Sequence, residues 1–277
     1  MLVRIAYMYL TPVITNDIIP YRIKKEGERI MRFIPNIKYN ELENSFLDLY
    51  LPDGECKDLI VWYHGGGFVN LDRTKIAFAE DLTKAGVGVA SVEYRMYTHG
   101  AKFPDFIVDG ASAVKFVQDN IHQYANVERI FVSGQSAGAY LTLMLAFDQH
   151  YLRDAGVDPM SIAGFLSDSA QTTTHFNVLQ RDRNTAGNLE RIDDAAPLYY
   201  VNPDLKLNSL LLIYYTNDVK CRPEQNKLLY ASLRKLCPDM KVELVELPGK
   251  HTNGSEHRNE QGTYDYNDTV LKFINNL

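Results

Sequence analysis

From about residue 45 to its end, the chain alternates short apolar, β-rich runs with longer segments of helical periodicity. Most of the apolar runs are continuous, as strands buried on both faces require. Strand, helix and strand in succession imply right-handed crossovers and a mostly parallel sheet covered by helices on both sides. The predicted strands are residues 45–51, 59–63, 87–93, 129–133, 162–166, 209–215 and 241–247. The predicted helices are residues 75–85, 104–120, 137–147, 225–236 and 269–275.

Two stretches fit this alternation poorly. Residues 1–40 precede it, and we expect an N-terminal extension that adds edge strands or covers a pocket. Residues 170–200 begin with Gln-Thr-Thr-Thr and are too polar for a buried crossover, so we expect a small cap insertion over the carboxyl edge of the sheet. Because no internal repeat or Gly/Pro/Ser-rich linker interrupts the chain, residues 1–277 are predicted to form a single domain.

The charge balance bears on possible partners. The chain has 29 Lys and Arg residues against 35 Asp and Glu residues, a net charge of −6, and no basic run stands out. A nucleic-acid-binding surface needs clustered positive charge. We therefore expect no nucleic-acid partner.

The number and spacing of the cysteines indicate the redox state of the compartment in which the protein resides. Cys56, Cys221 and Cys237 form an odd, sparse set without C-x-x-C spacing, which argues against a disulfide framework and against a zinc site. We expect free thiols in a reducing compartment, and hence a cytoplasmic location.

An apolar N-terminal stretch, residues 2–14, raises the question of a signal peptide. Its only basic residue is Arg4, Tyr7 and Tyr9 interrupt it, and no small-x-small cleavage site precedes Asn16. We expect this stretch to be structural. Elsewhere no run of about 18 uncharged apolar residues occurs, so we expect no membrane-spanning helix and no membrane partner.

The sequence Gly-Gln-Ser-Ala-Gly at residues 134–138 follows the apolar run 129–133 directly and precedes a helix rich in Ala and Leu. Strand, sharp turn and helix are the context of a G-x-S-x-G nucleophile elbow. The glycines are needed because the serine backbone is strained and side chains beside it would collide with the strand and the helix. Ser136 is therefore the candidate nucleophile; the alternative is a Gly/Ser turn without chemistry.

A second motif, His-Gly-Gly-Gly-Phe at residues 64–68, follows the apolar run 59–63. Consecutive glycines at the end of a buried strand let backbone N–H groups turn toward a cavity, which is how an oxyanion hole is built. A flexible loop between strand and helix is the alternative.

Together these residues resemble the α/β-hydrolase fold and, within it, the HGGG-type esterases near the hormone-sensitive-lipase and acetyl-esterase branches. The resemblance covers about residues 45–277. Besides the two motifs it includes Phe-Leu-Asp-Leu-Tyr-Leu-Pro at 46–52, Val-Glu-Tyr-Arg at 92–95, Phe103-Pro104, Asp109 and Ala196-Pro197. It implies a mostly parallel central sheet with flanking helices and a small cap. It also implies that the amides of Gly66, Gly67 and Ala137 bind the oxyanion.

Chain order reduces the number of candidates for the general base, since the triad residues on this fold occur in the order Ser, acid, His along the chain. Of seven histidines, order leaves His251 and His257. The resemblance favours His251, just past the strand 241–247, where the family has its base. A surface position is the expectation for His257.

The acid is expected in the loop after the strand 209–215. Asp218 matches the family's acid position there, and Glu224 is the alternative. The chain departs from relatives at residues 214–216, Tyr-Tyr-Thr, and at residues 220–223, Lys-Cys-Arg-Pro. In this scheme His251 takes the proton of Ser136 while Asp218 orients the imidazole, and no metal or organic cofactor is needed.

Four residues near the motifs are candidates for the substrate pocket, together with the insertion: Phe68, Tyr97, His99 and Gln135. The resemblance implies a serine carboxylic ester hydrolase, and a chain without room for a large cap favours small, acetyl-like acyl groups. We therefore expect a small-molecule ester as partner. The alternatives are an arylformamidase-like amidohydrolase, a peptidase of this fold, and a non-catalytic α/β-hydrolase that binds a small ligand.

Overall fold

The computed structural model of the protein describes residues 21–25, 28–187 and 189–277. The strands in these ranges are β1 (Tyr21–Lys25), β2 (Glu28–Lys38), β3 (Phe46–Leu51), β4 (Asp58–Tyr63), β5 (Val87–Val92), β6 (Arg129–Gln135), β7 (Gly164–Asp168), β8 (Ser209–Asn217) and β9 (Lys241–Lys250). The α-helices are α1 (Ala79–Lys84), α2 (Asp105–Asn120), α3 (Ala137–Phe147), α4 (His150–Asp154), α5 (Phe176–Arg181), α6 (Arg222–Leu236), α7 (Asn253–Glu256) and α8 (Asp265–Asn275).

The described strands form one sheet in the order β1-β2-β3-β5-β4-β6-β7-β8-β9. The pairings β1–β2, β2–β3 and β3–β5 are antiparallel, whereas every pairing from β5 to β9 is parallel. The chain order reverses around β4, which pairs with both β5 and β6. Ligands bind beyond the carboxyl ends of parallel strands at such a reversal. The predicted α/β-hydrolase fold is confirmed.

Alternate residues of β4 enter two separate cores. Val61 and Tyr63 pack with residues of α2, α3 and α6 on one face of the sheet. Ile60 and Trp62 pack with residues of α1 and α8 on the other face. All four side chains are fully buried. Helices on both faces explain why the strand sequences are continuously apolar.

The predicted elements from residue 45 onward are present, with shifted ends. Two helices begin four residues away from the predicted position: α1 begins at Ala79 instead of residue 75, and α8 begins at Asp265 instead of residue 269. The short helices α4, α5 and α7 were not predicted, because four to six residues carry too little helical periodicity to be seen in a sequence.

The described part of the N-terminal extension, residues 21–25 and 28–38, forms β1 and β2 at the edge of the sheet. This matches the expected edge strands. The apolar stretch at residues 2–14 lies outside the described residues, so its expected structural role stays a prediction.

The segment between β7 and β8 corrects one expectation. It borders the cavity at the carboxyl edge of the sheet, but its polar start, residues 171–174, is buried instead of exposed. Burial is possible because other segments satisfy the polar groups: the backbone N–H of Thr172 donates to Gln225 Oε1 over 3.0 Å, and Thr173 Oγ1 donates to Glu190 Oε2 over 2.9 Å.

Among the described residues, no helix has both the length and the apolar character needed to cross a bilayer.

Candidate active site

Ser136 lies at the tip of the turn between β6 and α3 with φ 55° and ψ −111°, a strained conformation for a residue with a side chain. Its backbone N–H donates to the carbonyl oxygen of Asp168 on the neighbouring strand over 2.8 Å. A Cβ atom on Gly138 would lie 2.1 Å from the carbonyl oxygen of Tyr63, and one on Gly134 would lie 2.3 Å from backbone atoms of Gly138. Only glycine fits at either position, for the steric reason expected from the motif.

His251 follows the end of β9 and faces this serine. Its Nε2 lies 2.8 Å from Ser136 Oγ, although 115 positions separate the two residues in the chain. The imidazole is 26% exposed, so one edge is open to a cavity while the other is held by the protein.

Asp218 holds that second edge. Its Oδ1 lies 2.5 Å from His251 Nδ1, and its carboxylate is fully buried. Burial alone would raise the pKa of Asp218, but hydrogen bonds from His251, Ser169 and the backbone N–H of Val219 outweigh burial and lower the pKa. The carboxylate is therefore ionised beside the imidazole at neutral pH.

Ser169, which the sequence analysis missed, completes this cluster. It follows β7 directly with φ 63°. Its hydroxyl donates to Asp218 Oδ2 over 2.5 Å and also lies 2.9 Å from His251 Nδ1. One signal was available in the sequence: the residue after a parallel strand lies next to the loop of the adjacent strand, here β8 with its acid.

The Gly-Gly-Gly loop lies at the end of β4, next to the turn that carries Ser136. Gly66 and Gly67 have φ of 94° and 63°, and a Cβ atom on Gly66 would lie 1.9 Å from the carbonyl oxygen of Asn70. The carbonyl oxygen of Gly66 accepts from the N–H of Val69 and Asn70. Within the described residues, the N–H groups of Gly66 and Gly67 have no hydrogen-bond acceptor. Ala137 begins α3, and the first N–H groups of a helix lack intrahelical partners.

His64 fixes the start of this loop and does not face the cavity. It is fully buried, stacks on Tyr94, and has Nε2 3.2 Å from Glu93 Oε1. The hydroxyl of Tyr94 donates to the carbonyl oxygen of His64 over 2.7 Å. These contacts anchor the backbone from which the three glycines project.

Ser136 and His251 open into a cavity of about 770 Å³ at the carboxyl edge of the sheet. The cavity is lined by Gly65, Gly66, Gly67, Leu71, Gln135, Ser136, Gln171, Phe176, Gln180, Gly187, Glu190, Val219, Lys220, Cys221, Arg222, Gln225, His251, Thr252 and Glu256. Of the four predicted pocket residues, Gln135 is among them, and its Nε2 donates to Glu256 Oε1 over 2.6 Å.

The other three pocket predictions are wrong. Phe68 has φ 63°, which turns its fully buried ring into an aromatic core where it stacks on Phe106. Tyr97 donates its hydroxyl over 2.5 Å to Asp182, a residue of the insertion. His99 accepts the backbone N–H of Met96 through Nδ1 and closes a local turn.

The two alternative triad residues lie away from the cluster. His257 is exposed beyond α7, and Glu224 is exposed in the first turn of α6. Neither is among the residues that line the cavity.

Behind the triad lies a second buried carboxylate. Asp168 accepts hydrogen bonds from Tyr215 and Ser255 over 2.8 and 2.6 Å. Burial raises the pKa of Asp168 to about 6, although these two hydrogen bonds and the charge of His251 act in the opposite direction. Among the described residues no group of three or more His, Cys, Asp or Glu side chains could hold a metal ion.

Comparisons with known proteins add the family. The BD-FAE family model matches residues 47–233, more than half of the chain. Among curated proteins, the chain is 29% identical to a kynurenine formamidase of Danio rerio over 124 residues, 44% of this chain and 41% of that protein. It is 25% identical to a probable isoprenylcysteine alpha-carbonyl methylesterase of Arabidopsis thaliana over 235 residues, 76% of this chain. That alignment spans 49% of the relative, so the chain matches half or less of these proteins' own lengths.

Two solved structures share the fold. Esterase B from Lactobacillus Rhamnosis superposes with a TM-score of 0.72 at 16% identity, covering 89% of this chain and 85% of that one. The propionate-bound esterase Est2 of Thermogutta terrifontis superposes with a TM-score of 0.69 at 20% identity, covering 86% and 92%. At these identities the likeness establishes the fold.

Proposed function

The chain belongs to the BD-FAE family of α/β-hydrolases, and on that premise we propose that it is a serine hydrolase that cleaves small carboxylic esters through an acyl-enzyme. The observation that carries the proposal is the continuous hydrogen-bonded chain from Ser136 Oγ through His251 to Asp218, with distances of 2.8 and 2.5 Å. A strained serine, an imidazole with one exposed edge and a buried carboxylate are what nucleophilic acyl transfer requires.

In the proposed mechanism, Ser136 Oγ attacks the ester carbonyl carbon while His251 Nε2 accepts the hydroxyl proton. His251 then donates that proton to the departing alkoxide. The product alcohol leaves, and the acyl group stays bound to Ser136 Oγ. Water then attacks the carbonyl carbon of the acyl-enzyme and gives a proton to His251. His251 returns that proton to Ser136 Oγ as the bond to the acyl carbon breaks, and the carboxylic acid is released. Asp218 holds the imidazole tautomer and stabilises the imidazolium formed in each half.

The developing negative charge on the carbonyl oxygen would be bound by the N–H groups of Gly66, Gly67 and Ala137. Two observations support this role. The two glycine N–H groups have no hydrogen-bond acceptor in the described structure, and the loop lies on the cavity wall beside Ser136. Each such donor contributes about 3 to 4 kcal/mol to transition-state stabilisation in related chemistry.

For the acyl group we propose acetyl to butyryl. The cavity wall carries four glutamine side chains and two glutamates, Gln135, Gln171, Gln180, Gln225, Glu190 and Glu256. Because Gln135 donates to Glu256 and Gln225 donates to Glu190, these groups are satisfied within the protein and do not decide the acyl length. The support for short acyl groups is the small size of the insertion between β7 and β8, since a long acyl chain needs a larger apolar cover to gain about 0.8 kcal/mol per buried methylene. We propose a small-molecule ester as partner and a catalytic cycle without cofactor.

The test is hydrolysis of 4-nitrophenyl acetate by purified wild-type protein and by Ser136→Ala, each shown to be folded by circular dichroism. We expect turnover in the wild type and loss of at least about 1,000-fold in the variant. Activity of the variant within about tenfold of wild type would overturn the proposal. Absence of turnover in the folded wild type would favour the non-catalytic binder.

A second candidate is an amidohydrolase of formyl amides, since one relative aligned to the chain is a kynurenine formamidase. The same residues would attack a formamide carbonyl, with His251 protonating an amine in place of an alkoxide. Parallel assays with phenyl formate, phenyl acetate and formanilide discriminate between the two. A kcat/KM for formanilide above that for the esters would favour the amidohydrolase.

A further inference from the structure

A buried cation forms part of the cavity wall near His251. Arg222 is the first residue of α6, is 5% exposed and lines the cavity that contains Ser136. Its Nη1 donates to the carbonyl oxygen of Ser169 over 2.6 Å. Its Nε is buried without a hydrogen-bond partner in the part of the chain that the structure describes. Leaving a buried cationic group partly unsatisfied is costly, so such a group calls for a partner.

The two carboxylates whose charges act on Arg222, those of Asp218 and Glu190, accept hydrogen bonds from other groups. Asp218 is held by His251 and Ser169. Glu190 Oε2 accepts from Gln225 Nε2 over 2.6 Å and from Thr173 Oγ1 over 2.9 Å. Among the described residues, Arg222 forms no ion pair within 4.0 Å. The guanidinium therefore lacks a direct counter-ion within this part of the structure.

The group remains charged. Burial lowers the pKa of Arg222 to about 10, while the negative charges of Asp218 and Glu190 act in the opposite direction. At neutral pH the guanidinium is protonated, and it presents a planar set of N–H donors suited to a carboxylate.

Two further features add positive potential to the same wall. Arg222 begins a helix of 15 residues, whose amino end carries partial positive charge. Lys220 also lines the cavity, two residues before the helix. The buried guanidinium, the helix start and the lysine give this part of the wall a positive potential, while the two glutamates of the cavity, Glu190 and Glu256, accept hydrogen bonds from Gln225 and Gln135.

We propose that this wall is a carboxylate-binding subsite, and that the substrate of the enzyme is an ester with a free carboxylate that pairs with Arg222. The inference rests on the proposed function and narrows its substrate class. It competes with a purely structural role for Arg222, in which its hydrogen bond to Ser169 holds the loop beside Asp218. A structural role affects charged and neutral substrates equally, whereas a subsite affects their ratio.

The experiment compares two matched pairs of esters at fixed ionic strength. One pair varies the charge of the leaving group, 4-acetoxybenzoate against 4-acetoxybenzamide. The other varies the acyl arm, the mono-4-nitrophenyl ester of adipic acid against 4-nitrophenyl hexanoate. We expect the anionic-to-neutral ratio of kcat/KM to fall about tenfold or more in Arg222→Gln for at least one pair, with most of the ratio kept in Arg222→Lys. Equal ratios in wild type and Arg222→Gln for both pairs would overturn the subsite.

A second measurement needs no variant and no turnover. Titration calorimetry of the wild-type protein with benzoate and with benzamide compares a carboxylate with its neutral counterpart. We expect benzoate to bind at least about tenfold more tightly and to inhibit 4-nitrophenyl acetate hydrolysis competitively. Equal or weaker binding of benzoate would contradict the subsite, even if the protein proves to be an esterase. If the esters are not hydrolysed, the proposed function fails while calorimetry still decides the subsite.

Discussion

The hydroxyl of Ser169 donates to Asp218 Oδ2 over 2.5 Å, on the carboxylate oxygen opposite the one that faces His251. This contact joins the end of β7 to the loop after β8 and helps to lower the pKa of Asp218. Because both carboxylate oxygens are held, the carboxylate plane is fixed relative to the imidazole. Ser169 is therefore a positioning residue for the proposed triad.

Replacing Ser169 by alanine should lower kcat/KM about tenfold, since a hydrogen bond to a charged group contributes about 1.5 to 3 kcal/mol. Loss of this hydrogen bond also raises the pKa of Asp218, so the acidic limb of the kcat/KM profile should move to higher pH. Ser167→Ala is the matched control, because Ser167 is buried on β7, two residues before Ser169, and its hydroxyl has no partner among the described residues. An unshifted acidic limb in Ser169→Ala would argue against the positioning role.

Paired substitutions test the assignment of His251 as the base and of Asp218 as the acid. His251→Ala should lower kcat at least about 1,000-fold and Asp218→Asn up to about 10,000-fold through loss of the correct imidazole tautomer. His257→Ala and Glu224→Gln, both at exposed positions, are the controls and should change kcat less than about twofold. The measurement is steady-state hydrolysis of 4-nitrophenyl acetate. An essential His257 or Glu224 would show that the last two loops are assigned wrongly.

The buried carboxylate of Asp168 predicts a pH-dependent stability. Its pKa is raised to about 6, above the usual value of about 3.9 in an unfolded chain. The folded state therefore binds the proton more tightly, so this contribution is fully present below about pH 4 and is lost as the pH rises through 6. Between about pH 4.5 and 7, the free energy of unfolding of the wild type should fall by about 2 kcal/mol relative to Asp168→Asn.

Urea titrations of both proteins at several pH values measure this difference. Asp265→Asn, which changes a carboxylate at the start of α8, serves as the control for a loss of negative charge. A stability difference between wild type and Asp168→Asn that stays constant from about pH 4.5 to 7 would refute the raised pKa.

Much of the site could be predicted from the sequence because short glycine motifs determine its backbone conformation. The glycines around Ser136 and in the loop at residues 65–67 are required by contacts between adjacent strands and turns, so motif and position could be predicted together. The strands could be predicted because a sheet covered on both faces needs continuous apolar runs.

The remaining features depend on contacts distant in sequence. Ser169 meets Asp218 across 49 positions, and Thr172 is satisfied by Gln225 across 53. A polar run that looks exposed in isolation is therefore buried in the structure. The pocket prediction for Phe68 was wrong because proximity to a motif does not fix the direction of a side chain. The positive φ of Phe68 turns its ring into the aromatic core.

The small insertion over the cavity predicts an acyl-length preference. Among neutral 4-nitrophenyl esters, kcat/KM should peak between acetate and butyrate and decline steeply by octanoate. Each added methylene would gain about 0.8 kcal/mol only where apolar atoms cover it, and the insertion between β7 and β8 is too small to cover a long acyl chain. Initial rates below the critical micelle concentration measure this series. A maximum at octanoate or beyond would indicate a lipid substrate.

The central claim is a covalent acyl intermediate on Ser136, and the most direct measurement is mass spectrometry of protein quenched in acid within milliseconds of mixing with 4-nitrophenyl acetate. We predict that wild-type protein gains the mass of one acetyl group, located by peptide mapping to the segment that contains Ser136, and that Ser136→Ala gains none. Turnover without any acetylated protein, or acetylation located at another residue and retained in Ser136→Ala, would contradict the account.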